Sequence, residues 1–517
     1  MMRNAALGAI LIVVALGVVA SGQAQRSTTS ASRPNFVVIL TDDMGYADLH
    51  MNGNPVINTP NLDQMARDGL HLTSMYSAPL CTPTRGMFLT SRYPLRTGII
   101  NVTGPGSPVG IRKDEVTLAQ ALKSQGYRTA MFGKWHIGDF DTDAGFNPTA
   151  HGFDEFLGLP YSHDYNPAPG VPLYHNTEKV EQPVKYNLLT QRYTQEAIKF
   201  IRGAKGQPFF AYVAHNLPHI PIGTSDQFKG HSRAGRYGDV IEEIDWSVGQ
   251  ILTTLKQLGI DRNTIVVFMS DNGPWVSTAE QTYDRQDRGT KVQGDVGWPG
   301  ILRGSKGQTY EGGVRVPAIV RWPGTIAPLR TSADVFSVMD WFPTFVGLAG
   351  GKIAPGHEVD GIDITPFLRG KTPSPRHDYF YFGGAAIQAL REGPWKVRVA
   401  PAEGARQGGA GGGRGAAAGN GGRAATDGVA GAVAAGEPNA RGRANLTAPN
   451  AGAAAPVAEP LVELFNLDTD PAERFNVAAS HPDIVARLRA RMEAFGAALR
   501  ATSPPVSSFV EKVSKID

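Results

Sequence analysis

The sequence predicts an α/β fold, a large and mostly parallel sheet sandwiched by helices, with a smaller C-terminal α+β domain of antiparallel sheet and helix. Four apolar runs that each end in polar or charged residues, and the helical patterns lying between them, predict the first part. The second rests on a change to short aromatic-rich strands after about residue 375. The expected division is 1–24 as an export signal, 25–33 as a linker, 34–375 as the larger domain and 376–517 as the smaller one. A Gly/Ala-rich insertion at 401–460 interrupts the smaller domain.

Taken in order, Arg3 followed by the apolar stretch Ala5 to Ala20 and the small residues Ala20 to Ala24 has the layout of a secretory signal. No later segment offers about 18 uninterrupted apolar residues, so stable membrane insertion after cleavage is not expected. The chain is read as exported, to a periplasm or the extracellular space. The single cysteine makes no intrachain disulfide, and stability must come from the core. The first strand is Asn35 to Thr41, whose unbroken run Phe36 to Leu40 suits burial on both faces of a parallel sheet. Thr129 to Phe132, Phe209 to Ala214 and Thr264 to Met269 repeat the pattern. Leu118 to Gln125, stopped by Gly126, and Val240 to Leu258, stopped by Gly259, read as crossover helices. Tyr379 to Phe382, Ala386 to Leu390 and Trp395 to Val399 read as antiparallel strands. Ile484, Leu488, Met492, Phe495 and Leu499 form a stripe for one helix packed on them. The insertion has too few large apolar groups to offset the entropy of ordering and reads as a disordered linker.

With 50 basic against 47 acidic residues the net charge is +3, which gives no global pull toward nucleic acid or membranes. Recognition of an anion must therefore be local. Residues that follow parallel strands gather at one sheet edge, where open α/β sheets bind ligands. Asp42, Asp43, Asp271 and Asn272 lie at two such ends and offer hard oxygen ligands suited to Ca²⁺ or Mg²⁺ rather than zinc. An Asp–Asp pair is also a common helix cap, and the paired occurrence is what singles this one out. Lys134 and His136 follow the strand at Thr129. Lys306 lies in Leu302 to Gly307, a glycine-containing stretch that equally suits an ordinary loop. Cys81 precedes Pro83 and Arg85. Proline favours the first helical turn, so Cys81 is placed at a helix N-terminus, where unpaired N–H groups and the dipole lower a thiol's pKa. A buried, inert cysteine is the alternative reading of this stretch.

The motif Cys81-Thr82-Pro83-Thr84-Arg85, the stretch Gly126 to His136 ending Gly-Lys-Trp-His, and Asp271-Asn272-Gly273 together resemble the formylglycine-dependent sulfatases, within them the arylsulfatase A group. Gly158 to Asp164, Lys306 with Glu311-Gly312-Gly313, and Glu463 to Pro471 extend the resemblance from about residue 34 to 500. Ser91 departs from the pattern, standing where the first signature usually has glycine, and so does the long insertion.

The resemblance implies an alkaline phosphatase-like fold and sulfate ester hydrolysis. It implies that Cys81 is oxidised to formylglycine by a formylglycine-generating enzyme before folding. The aldehyde hydrate would attack sulfur to give a covalent sulfate ester, with a metal, Ca²⁺ or alternatively Mg²⁺, held by Asp42, Asp43, Asp271, Asn272 and residue 81. Lys134 and Lys306 would hold sulfate oxygens, Lys306 also helping the leaving alcohol, and Arg85 would orient the formylglycine oxygens. His219, a better match than His215, would bind sulfate and assist departure of the alcohol. His136 would take a proton from the second hydroxyl, and Ser162 would lie near the sulfate. The partner is then a sulfated small molecule or glycan. Two other readings stand beside it: a phosphonate or phosphate monoester hydrolase of the same superfamily, and a catalytically silent sulfated-glycan binder.

Overall fold

The computed structural model describes residues 33–165, 168–275, 296–400 and 460–503. The predicted signal, nearly all of the predicted linker, and the insertion up to residue 459 lie outside the described residues. Eleven strands form the main sheet: β1 Asn35–Thr41, β2 Leu70–Tyr76, β3 Arg128–Lys134, β4 Glu155–Leu159, β5 Leu173–His175, β6 Glu178–Glu181, β7 Phe209–Ala214, β8 Thr264–Ser270, β9 Arg315–Arg321, β10 Arg330–Ser332 and β11 Phe336–Ser337. Four more form the second sheet: β12 Asp378–Gly383, β13 Ala386–Glu392, β14 Trp395–Ala400 and β15 Leu461–Asn466.

The main sheet runs β10-β2-β9-β8-β1-β7-β3-β4-β5-β6, with β11 also on β2. Its centre, β8-β1-β7-β3-β4, is parallel. Antiparallel pairings of β9 with β8 and β2, and of β5 with β4 and β6, flank that centre, so the sheet is mixed but mostly parallel. The four apolar runs occupy four of the five central positions because successive side chains there are buried on opposite faces. Phe36, Val38 and Leu40 join one core cluster, and Val37 and Ile39 the other. Helices Pro60–Arg67, Leu189–Gly203 and Gly235–Gln257 cover one face. Helices Cys81–Thr90, Leu118–Ser124 and Trp341–Leu348 cover the other. Thr117 caps Leu118–Ser124 through a capping box with Gln120. The helix expected from Val240 begins earlier, at Gly235, because Tyr237 also points into the core.

The second sheet is a meander, β12-β13-β14-β15, all antiparallel. Its last two strands keep an unbroken register from Trp395↔Asn466 to Ala400↔Leu461. Helix Pro482–Thr502 packs on it through Leu488, Met492 and Leu499, and Phe495 stacks on Phe380 with centroids 3.9 Å apart. These residues belong to the same apolar cluster as one face of the main sheet.

Ser91 ends the helix Cys81–Thr90 at φ 59°, ψ 27°, a left-handed conformation that glycine usually takes. Its hydroxyl donates to the Met339 carbonyl (2.9 Å) and accepts from the Gly361 N–H (3.2 Å), so an anchor stands in for glycine's conformational freedom.

Candidate active site

The parallel register brings the polar residues together. Thr41 pairs with Ser270, so Asp42-Asp43 and Asp271-Asn272 leave adjacent strands side by side, and the Asp271 N–H donates to the Thr41 carbonyl (3.0 Å). On the other flank of β1, His215 N–H donates to the Leu40 carbonyl (2.9 Å) and Asp42 N–H to that of Leu217 (3.2 Å). Lys134 ends β3, where β3 lies so close to β7 that a Cβ on Gly133 would fall 1.8 Å from the Ala214 carbonyl oxygen. Asp43 (φ 66°) and His136 (φ 60°) both adopt left-handed backbone, strain of the kind that fold context maintains at functional sites.

Asp43 is the hub. Its carboxylate accepts from Lys306 Nζ (2.7 Å) and Asn272 Nδ2 (2.7 Å), with His219 Nε2 at 3.6 Å and Cys81 Sγ at 3.9 Å. Asp42 accepts from Lys134 Nζ at 2.5 Å. Arg85 is fully buried and holds Asp271 Oδ2 through Nε (3.1 Å) and Nη2 (2.8 Å), while its Nη1 donates to the Lys134 carbonyl (2.6 Å). Cys81 is the first residue of its helix, as Pro83 predicts.

The thiol itself departs from expectation. Burial pushes Cys81 well above its ordinary pKa, outweighing Lys134 and Lys306; desolvating a thiolate costs more here than the two cations return. Burial would likewise raise Asp42, but Lys134, His219, Arg85 and Lys306 together hold it well below the usual carboxylate range. Burial and the Asp42 charge push Asp271 up to about 7 against the pull of Arg85. Burial, with Lys134 and Arg85, drives His136 well below its ordinary value, so its imidazole is neutral. Burial opposes the charge on Lys306, but Asp43 keeps it firmly protonated.

Among the described residues, ligand atoms of Asp42, Asp43, Cys81 and His219 lie within 4.8 Å of one another. Asp42 Oδ1 and Asn272 Oδ1 are buried without a hydrogen-bond partner. Buried oxygens of this kind are expected to be satisfied, and an oxygen-rich set with orphaned acceptors fits a hard cation. His219 joins the cluster that sequence reasoning had assigned to oxygens and residue 81. His215 does not join it: its Nε2 lies 3.3 Å from Ser247 Oγ of helix Gly235–Gln257. Ser162 is buried in the segment after β4, as is His163, whose ring lies 5.8 Å from that of His219. His163 was not singled out from sequence, although its segment leaves a parallel strand like the others.

The Sulfatase family profile matches residues 34–351. The chain belongs to the sulfatase family. Bovine (Bos taurus) arylsulfatase A is 39% identical to this sulfatase over 397 residues, covering 71% of the chain and 75% of the relative. Mouse (Mus musculus) N-acetylgalactosamine-6-sulfatase is 39% identical over 421 residues, covering 77% and 76%. In structure, it is similar to the PsFucS1 sulfatase of Pseudoalteromonas sp., with a TM-score of 0.72, 26% identity and 91% of each chain covered. It is thus a sulfuric ester hydrolase with the alkaline phosphatase-like fold. Among the described residues, no helix is long and apolar enough to cross a membrane.

Proposed function

We propose that this sulfatase cleaves aryl or carbohydrate sulfates with a formylglycine made from Cys81, and that Asp42, Asp43, Asp271 and Asn272 hold Ca²⁺, with Mg²⁺ as the alternative. The observation that carries this is the convergence of Cys81, Asp42, Asp43 and His219 ligand atoms within 4.8 Å, with Lys134 and Lys306 on the same two carboxylates. When present, the cation supplies Lewis-acid polarisation of a sulfate oxygen and the hydrated aldehyde supplies an oxygen nucleophile. The remaining work belongs to side chains. Lys134 and Lys306 offer ammonium donors to the sulfate oxygens. Arg85 fixes Asp271 beside residue 81. His219 donates a proton toward the leaving alcohol, and neutral His136 has both ring nitrogens without a hydrogen-bond partner and accepts one. Proton transfer of this kind is worth about 10² to 10⁴ in rate. Ser162 borders the sulfate.

Cys81 is only 1% exposed, which supports conversion before its helix packs, by a formylglycine-generating enzyme. The Arg3 to Ala24 pattern supports export. The relatives' names, arylsulfatase A and N-acetylgalactosamine-6-sulfatase, support the aryl and carbohydrate arms. Mass spectrometry of the Cys81 peptide from the native host is expected to show a loss of about 18 Da, the change from thiol to aldehyde. Active protein carrying only unmodified cysteine would overturn the aldehyde mechanism. A clear preference for an aryl phosphate over the matching sulfate would move the chain to the phosphate ester reading.

A further inference from the structure

The loop that carries Lys306 is held from two sides. Toward the site, Lys306 N–H donates to the Pro274 carbonyl (3.0 Å), Gly307 N–H to that of Pro79 (2.8 Å), and Gly273 N–H to that of Gly313 (2.9 Å). A Cβ on Gly273 would meet the Gly312 carbonyl oxygen at 1.8 Å, so the turn after Asp271-Asn272 presses directly on this loop. The other side is gripped by the second sheet. Five residues beyond Lys306, the Glu311 carboxylate accepts from Lys396 Nζ of β14 (2.9 Å) and the Tyr381 hydroxyl of β12 (2.9 Å), and also from the hydroxyl of Tyr76 on β2 of the main sheet (2.6 Å). Lys396 also pairs with Glu473 (2.7 Å), which in turn accepts from the Glu311 N–H (2.7 Å). Beside it, the Arg398 and Arg303 guanidiniums each lie 3.9 Å from the Tyr310 ring centroid, and Arg398 donates to Thr309 Oγ1 (3.2 Å).

The side chains of Lys396 and Glu311 are fully buried. A buried ion cluster is a poor source of net stability, since desolvation offsets much of the attraction, yet its geometry is narrowly defined. A reacting site must hold its groups to within about 0.5 Å, and the Lys306 ammonium sits on a loop that needs such an external frame.

We infer that the second sheet is the positioning element for Lys306, and that Lys396 and Arg398 of β14 are positioning residues for sulfate ester cleavage, acting through the Glu311 and Tyr310 ends of the loop. This rests on Lys306 acting on the sulfate as proposed above. The test is a double-mutant cycle on an aryl sulfate with a good leaving group. Lys396→Met is made in the otherwise normal enzyme and in a Lys306→Ala background, with kcat and KM measured separately. Acting through Lys306, Lys396→Met lowers kcat/KM about tenfold in the first and less than about twofold in the second, a coupling typical of residues in one network. Equal factors in both backgrounds would overturn the inference, because general loosening of the fold does not depend on Lys306. Arg398→Lys, which keeps the charge and loses the planar contact with Tyr310, is run through the same cycle. It decides the matter if Lys396→Met does not yield folded protein. If Lys306→Ala alone leaves turnover unchanged, the role of Lys306 falls and this inference falls with it. Additive losses refute only the positioning.

Discussion

Replacing Ser91 separates two things that its position combines. The residue is fully buried at φ 59°, and its hydroxyl serves the Met339 carbonyl and the Gly361 N–H. Ser91→Ala keeps the left-handed backbone, whose cost of about 1 kcal/mol is shared with serine and cancels. It leaves the half-buried Gly361 N–H without its partner, at about 1–3 kcal/mol if it finds no other, whereas the Met339 carbonyl keeps the bond it accepts from the Trp341 N–H. The expected loss is about 1–3 kcal/mol. Ser91→Gly loses the same hydroxyl but relieves the backbone, so it should stand about 1 kcal/mol above the alanine variant. Urea titration followed by circular dichroism ranks the three proteins as serine, glycine, alanine. An alanine variant with the parental midpoint, or a glycine variant below alanine, would refute the anchoring argument.

Two further expectations follow from burial and from the oxygen cluster. Burial alone holds His215 down to about 4 from its ordinary 6.5, so below pH 6.5 the unfolded imidazole takes up a proton that the folded one refuses. Its contribution is fully present above about pH 6.5 and is lost as pH falls toward 4. From pH 7 to 5 that loss is about 2 kcal/mol. His215→Gln should reduce the drop in urea midpoint over this range, and an unchanged drop would sink the assignment. Removing metal with EGTA should abolish aryl sulfate turnover and lower the melting temperature, and Ca²⁺ should restore both. Rescue by zinc alone would contradict the hard-cation reading.

The central strands were legible because burial on both faces of a parallel sheet leaves an unbroken apolar run, as in Phe36 to Leu40. The strand-end placement of Asp42 and Asp271 was legible for the same reason: each follows such a run with one residue between. The register that sets Thr41 against Ser270 was not, since no local pattern encodes which strands become neighbours. The flanking β2 and β9 carry His71, Thr73, Arg315 and Arg321 among their apolar residues, which blurs the signal. Depression of the Cys81 pKa was argued from its helix alone, whereas the outcome depends on how deeply the rest of the chain covers it. Lys396 and Arg398, one apolar residue apart on β14, look like a solvent-facing edge in sequence. Their partners lie 85 and 89 residues away, so the grip on the Lys306 loop was invisible there.

The pairing of β14 with β15 has an architectural consequence. Ala400 and Leu461 face one another as the last partners of a continuous register, so β14 and β15 are antiparallel neighbours whatever the length of chain between them. The cost of closing a loop grows only with the logarithm of its length; sixty residues in place of ten add about 1.6 kcal/mol. The six-pair register, rather than the connector, aligns the two strands that carry Lys396 and Glu463. Mutation and insertion can therefore rewrite the connector, in composition and length, while the residues that frame the Lys306 loop stay in step.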